Sequence, residues 1–302
     1  MTDVLDQFKF DAFDTDNTAR LNAAVDPAFG GLDTVASRDQ HLLAELHRAA
    51  AVGDVARATE VFTTLRYTDA SSEKRSRASG ALSIAIKHEH ERMAASLLSE
   101  GARPVSSDVK EAVRSPNQPI VRLLLEHGWP INAKLGWYDP PALAYAVEDL
   151  DPVRWLLSQG ADPNAVYGVD KMPLSLAVLK APISVIETLF AYRGTVRHGQ
   201  LLHWAVSRKE DDRLAVIKYL LQKEAPINAI MYENHIESFN QRKPFGLGTA
   251  LHGAARLGDL KVIKILLAHG ADVSIQDSCG RLPFDLALRE QHHLAAGLLW
   301  PR

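Results

Sequence analysis

One cysteine, Cys279, stands in 302 residues, which excludes an internal disulfide framework and fits a reducing compartment. No apolar run approaches the ~20 residues that a membrane-spanning helix requires. The first 20 residues carry Asp3, Asp6, Asp11, Asp14 and Asp16 and lack an apolar stretch of signal-peptide length. A cleaved leader is therefore not expected, no membrane association is read, and the cytoplasm or nucleus is the expected location. An excess of one charge is also missing, since 34 basic against 37 acidic residues leave a net charge of −3. That balance gives no overall electrostatic attraction to nucleic acid. Nucleophile elbow, P-loop and dinucleotide fingerprint are all absent. Lys87-His88-Glu89-His90-Glu91 lacks the i, i+4 histidine spacing of a helical zinc motif, as does Gln291-His292-His293. No metal and no cofactor are expected. What is present is ordinary globular composition, 46% hydrophobic and 24% charged, on a chain long enough for a sizeable core.

The chain repeats itself. An apolar phrase ends successively at Leu65, Leu98, Leu125, Leu157, Phe190, Leu221, Leu267 and Leu299, with spacings of 33, 27, 32, 33, 31, 46 and 32 residues. About ten residues upstream of each phrase lies a shorter, alanine-rich apolar segment. Downstream stands Gly101, Gly128, Gly160, Gly194 or Gly270, where a left-handed residue can end a helix. Each unit reads as helix, short turn, helix and extended loop. Short helices are marginal alone in water, so the pairs must stack into one continuous core.

Thr249-Ala250-Leu251-His252-Gly253-Ala254-Ala255, followed by Gly258, Leu266-Leu267 and Gly270-Ala271-Asp272, resembles the ankyrin repeat. Leu46-His47-Arg48-Ala49-Ala50, Gly160-Ala161-Asp162-Pro163-Asn164-Ala165 and Leu202-His203-Trp204-Ala205 are similar fragments. The resemblance covers about residues 41–302 in roughly eight uneven units. It implies a mainly α ankyrin-repeat solenoid of helix-turn-helix units, working as a protein-interaction module: an adaptor, scaffold or inhibitor. It also implies that His252 ties its turn to a neighbouring repeat. Pro104 to Asp108 and Val196 to Gln200 leave shortened loops where the position of the turn is open.

The irregular places carry the candidate site. Residues 1–40, with Phe8, Phe10, Phe13 and Phe29 among eight Asp, read as an N-terminal arm or cap on the repeats at 41–302, the alternative being an unpacked leader. The long spacing marks one long inserted hairpin at about 231–248, holding Tyr232, Glu233, His235, Phe239 and Phe245. Insertions in solenoids emerge on one face, commonly the binding face; alternatively Phe239 and Phe245 fold back on their own repeat. Trp137, Tyr138 and Asp139 fall where the family places a hairpin tip, and Tyr167 falls at the equivalent place one unit on. They are residue types that anchor interfaces, unless the tips pack on each other. The family's register turns Glu111, Arg114, Tyr145, Glu148, Trp204 and Arg256 to the groove, with Lys87 and Arg289 nearer its ends. The partner-binding surface is therefore expected at Trp137, Tyr138, Asp139, Tyr145, Glu148, Tyr167, Trp204, Tyr232, Glu233, His235, Phe245 and Arg256. No catalytic residue is assigned. The alternative function is an ankyrin-fold enzyme or small-molecule binder, in which Asp139, His198, His203, Glu233 and His235 meet in a groove closed by the insertion. Trp300, in the last unit, is expected to be partly exposed and to favour self-association.

Overall fold

The computed structural model describes residues 33–66, 72–114, 118–136, 139–168 and 170–300. Most of the arm or cap expected over residues 1–40 lies outside the described residues. The chain divides into two units, Met1–Ala44 and Glu45–Arg302, and the second carries the candidate site.

Helices alternate along the chain. The first pairs are α1 (Asp33–Val52) and α2 (Val55–Arg66), α3 (Ser72–Lys87) and α4 (Glu91–Ser99), and α5 (Ser106–Arg114) and α6 (Gln118–Glu126). Next come α7 (Ala142–Tyr145) and α8 (Leu150–Ser158), α9 (Pro173–Lys180) and α10 (Ile183–Ala191), and α11 (Leu201–Ser207) and α12 (Arg213–Gln222). A lone helix α13 (Ile236–Arg242) precedes α14 (Ala250–Leu257) with α15 (Leu260–Ala268), and α16 (Pro283–Arg289) with α17 (His293–Leu299). Eight helix pairs thus stand among the described residues, as the period requires.

The pairs form because each helix has one small, apolar stripe and a defined start and stop. In α14 Ala250, Leu251, Ala254 and Ala255 are buried; in α15 Val262, Ile263 and Leu266 are. Alanine lets the inner helices approach closely, while the longer side chains of the outer helices fill the layer between. Asp259 starts α15 by accepting from the N–H groups of Lys261 and Val262, both at 3.1 Å, which satisfies donors otherwise orphaned at a helix start. The stops repeat as a bond from the residue beyond the turn back to the helix. Ala102, Trp129, Ala161, Ala225 and Ala271 donate to Leu97, Leu124, Leu156, Leu220 and Leu266, each at 3.0 Å. Gly101, Gly128, Gly160 and Gly270 are left-handed there, as expected. The fifth unit differs: Arg193 takes the left-handed place at φ 69°, and Gly194 follows it. A Cβ on Gly194 would lie 2.8 Å from the Leu189 carbonyl oxygen, so its small size rather than its φ is used.

Three side-chain devices tie neighbouring repeats together from the third repeat onward. His252 Nε2 donates to the Arg281 carbonyl at 3.1 Å, while its Nδ1 accepts from the Thr249 N–H at 3.0 Å. His203 Nε2 reaches the Gly248 carbonyl at 3.1 Å, and Ser175 Oγ the Gly199 carbonyl at 2.7 Å, from the same place in their helices. Asn132, Asn164 and Asn228 each donate to a carbonyl of the following unit and accept a backbone N–H from it. Arg208, 1% exposed, donates to the carbonyls of Val178 and Ala181 at 3.1 and 2.8 Å and to Asp212 at 2.6 Å. It thereby satisfies the C-terminal end of α9 from the adjoining unit.

Candidate partner-binding site

The inserted segment is a folded element. Met231 donates to the Gly248 carbonyl at 3.0 Å and closes its base. His235 begins α13, its Nδ1 accepting from Ser238 Oγ at 2.6 Å and from the Ser238 N–H at 3.3 Å. A 3-10 turn at Lys243–Phe245 follows. The far side is fastened to the last hairpin: Leu247 N–H donates to Ser278 Oγ at 2.7 Å, Ser278 N–H to the Leu247 carbonyl at 2.8 Å, and Ser278 Oγ to the Lys243 carbonyl at 2.6 Å. Held this way, the segment turns Ile236 and Phe245 outward, 73% and 52% exposed. Phe239 is half-buried and Glu233 exposed.

Several expectations about side chains are corrected. Tyr167, expected at an exposed tip, is 2% exposed. Its backbone pairs with Lys171 in a short antiparallel bridge, N–H to carbonyl at 2.8 and 3.2 Å, and this register turns the ring inward. Tyr232 is wholly buried at the root of the insertion, with its N–H on Gln200 Oε1 at 3.1 Å. Trp204 is 7% exposed, with Lys171 Nζ 5.6 Å from its ring centre. These three rings are buried and offer little accessible area. Trp137 and Tyr138 lie outside the described residues.

The remaining candidates are engaged in polar contacts. Asp139 accepts from Tyr145 Oη at 3.2 Å and from Lys110 Nζ at 2.7 Å. Arg114 sits 5.2 Å from the centre of the Tyr145 ring; burial first, and Asp139 second, hold that phenol above its usual range. Glu148 is exposed and paired with Lys180, and Arg256 is half-buried on α14. Composition and period gave no sign of Lys171 or Asp170, yet these, with Gln200 and Arg242, join the repeats here. Gln200 Nε2 donates to Asp170 Oδ2 at 2.6 Å, and Arg242 stands 5.9 Å from the Tyr232 ring centre. Burial, and then the charge of Arg242, lower the Lys171 pKa.

His198, His203 and Glu233 line one small open cleft beside the insertion. His203 spends its Nε2 on the Gly248 carbonyl, and burial pushes its pKa down to about 4; it is a neutral tie at physiological pH. His235 spends Nδ1 on Ser238, and Asp139 belongs to the Tyr145 group. The five acid–base candidates are thus divided among three places. His90 Nε2 holds the Ala51 carbonyl at 3.0 Å, a use unrelated to metal. Cys279 is exposed, and its Sγ lies 3.5 Å from the Pro244 carbonyl oxygen.

Comparison with known proteins agrees with this architecture. A family model described as ankyrin repeats (many copies) matches residues 251–296. The chain is 34% identical over 85 residues to cyclin-dependent kinase inhibitor 2A of Monodelphis domestica, covering 28% of this chain and 49% of that relative. It is 28% identical over 151 residues to cyclin-dependent kinase 4 inhibitor B of Rattus norvegicus, covering 50% of this chain and 82% of that one. A mitochondrial disaggregase of Bos taurus is 27% identical over 144 residues, 48% of this chain but only 20% of the relative's length. Residues 251–296 match ankyrin repeats, and the stacked helix pairs have the fold of an ankyrin-repeat solenoid. No helix among the described residues is long and apolar enough to cross a membrane.

Proposed function

We propose that the repeats form a protein-binding module whose contact surface is the inserted segment together with the neighbouring hairpin side of the central units. The observation that carries this reading is the insertion: a segment fastened at both ends, with its two most exposed apolar side chains, Ile236 and Phe245, turned outward. A fixed element loses little ordering entropy on binding, and exposed apolar side chains on a fixed support suit an interface core. The named candidates divide by role within this reading. Phe245, Glu233, Glu148 and Arg256 contact the partner, as do Trp137 and Tyr138. Asp139, Tyr145, Tyr167, Trp204, Tyr232 and His235 hold the surface in place. An inhibitor is the form of module we favour over adaptor or scaffold, because two relatives are named as kinase inhibitors. We place it in the cytoplasm or nucleus, with no nucleic acid as partner.

The test is quantitative capture of proteins by the intact chain and by an Ile236→Ser/Phe245→Ser variant of equal melting temperature, with purified cyclin-dependent kinase 4 as one defined probe. A partner held by the parent and lost by the variant supports the reading. Equal capture by both chains contradicts it. The second reading, a small-molecule site, draws on the cleft shared by His198, His203 and Glu233. It requires a ligand whose binding Glu233→Gln weakens while capture stays intact.

A further inference from the structure

The cleft beside the insertion is lined by residues from two stretches of chain, 196–203 and 226–234. Two of its polar members are spent inside the fold: His203 Nε2 on the Gly248 carbonyl, and Gln200 on Asp170 and the Tyr232 N–H. Four others are not. Among the described residues no hydrogen bond, ion pair or ring contact engages the side chains of Arg197, His198, Glu233 or Asn234, and all four are exposed. Arg197 and His198 bring donors from the first stretch, and Glu233 brings an acceptor from the second. The lining thus holds one guanidinium and one carboxylate, with Leu201 and Ile230 as apolar members. The space within it is about 30 Å³, room for one small chemical group. A metabolite would need ~300 Å³ or more. Asn234 stands two residues before Ile236, which is 73% exposed, so their Cα atoms are at most about 7.6 Å apart. The cleft and that apolar side chain therefore belong to one patch.

Resting on the binding-module reading above, we propose that this cleft holds a peptide group of an extended segment of the partner protein. A trans peptide group presents its C=O and its N–H on opposite edges, and both need partners when taken out of water. Arg197 and His198 supply donors for the carbonyl, and Glu233 supplies the acceptor for the N–H. A neutral group with one donor and one acceptor matches a lining of this balance. A carboxylate would meet Glu233, and an ammonium would meet Arg197, each as a like charge. Peptide groups inside a helix have spent both atoms on their own ladder, so the partner's segment is extended where it crosses the cleft. Backbone hydrogen bonds give such a contact its affinity, and the flanking side chains give it selectivity.

The experiment selects from a displayed library of random short peptides on the intact chain and measures the recovered peptide by fluorescence anisotropy. A peptide is expected to be recovered and to bind about tenfold more weakly to Arg197→Ala and to Glu233→Ala. Glu233→Gln is expected to bind nearly as the parent does, since its amide oxygen still accepts an N–H. N-methylation scanned along the peptide is expected to abolish binding at one nitrogen, and added salt to change affinity little. Lys218→Ala, on the exposed side of α12, is expected to leave binding unchanged. Recovery of no peptide overturns the proposal, as does parent-like binding by both alanine variants or by every N-methylated copy. Equal loss in Glu233→Gln and Glu233→Ala, with a steep fall in salt, assigns the cleft to a cationic ligand and overturns it too. Should an alanine variant melt below the parent, Glu233→Gln and the N-methyl scan decide by the same criteria. Capture that still depends on Ile236 and Phe245 while the peptide result fails removes this inference alone; loss of that dependence removes the module reading with it.

Discussion

Asn164 shows how single residues join the units: its amide donates to the Arg193 carbonyl at 2.9 Å and its oxygen accepts from the Thr195 N–H at 2.9 Å. Asn164→Ala removes both bonds and is expected to cost about 1–2 kcal/mol, read as a lower urea midpoint with unchanged slope. The histidines add a pH dependence whose sign follows from their burial. His203 titrates near 4 and His252 below its ordinary 6.5 in the fold, so between those values and 6.5 the unfolded chain binds more protons. Their contribution is full above about 6.5 and is lost as pH falls toward the folded values. Asp108, whose carboxyl burial pushes up, works in the opposite sense. The urea midpoint should therefore fall from pH 7 to pH 5, and fall less in His203→Gln; an equal fall in both would refute the assignment. Much of this was legible. The histidine tie follows from the repeat motif, and Asn164 stood within it. The inward turn of Tyr167 was not, because a hairpin slipped by one residue exchanges its two faces, and residue spacing does not fix that slip.

At the scale of elements the insertion is the informative piece. The 46-residue spacing located it, and the position of its ends was readable from the flanking repeats. Its internal order was not, since Ile236–Arg242 is too short to announce a helix against a loop background. The fold holds it through contacts distant in sequence, chiefly with Ser278 and Gln200. Gly246 is critical there, at φ 83°, where an added Cβ would lie 1.6 Å from Arg281 Nη2 and 2.8 Å from Asp277 Oδ2. That carboxylate is itself held by Arg281 Nε at 2.8 Å. Gly246→Ala is expected to unseat the insertion while the repeats stay folded. Faster amide exchange at Leu247 and Ser278, without a matching change in α9 or α10, is the predicted signature.

Across the whole chain stability is the sum of neighbouring contacts, as in any stacked array of repeats. Arg208 bridges two units from a position nearly free of solvent, and no periodic signal distinguishes it from the exposed Lys209 beside it. Arg208→Met leaves the Val178 and Ala181 carbonyls without their donor and should cost roughly 2–4 kcal/mol, broadening or splitting the urea transition if the array uncouples there. The last unit is open by contrast. Val206 and Ala255 are 1% and 0% exposed, while Leu288, at the matching place in α16, is 43% exposed, beside Leu294 at 75% and Trp300 at 64%. Weak self-association, relieved by Leu294→Lys, is the expected result of light scattering over a concentration series. The module claim itself is tested most directly by placing a photo-cross-linking phenylalanine analogue at position 245 and, separately, at position 218 on α12. The account predicts that a partner protein is joined from position 245 and not from 218; joining from 218 alone would contradict it.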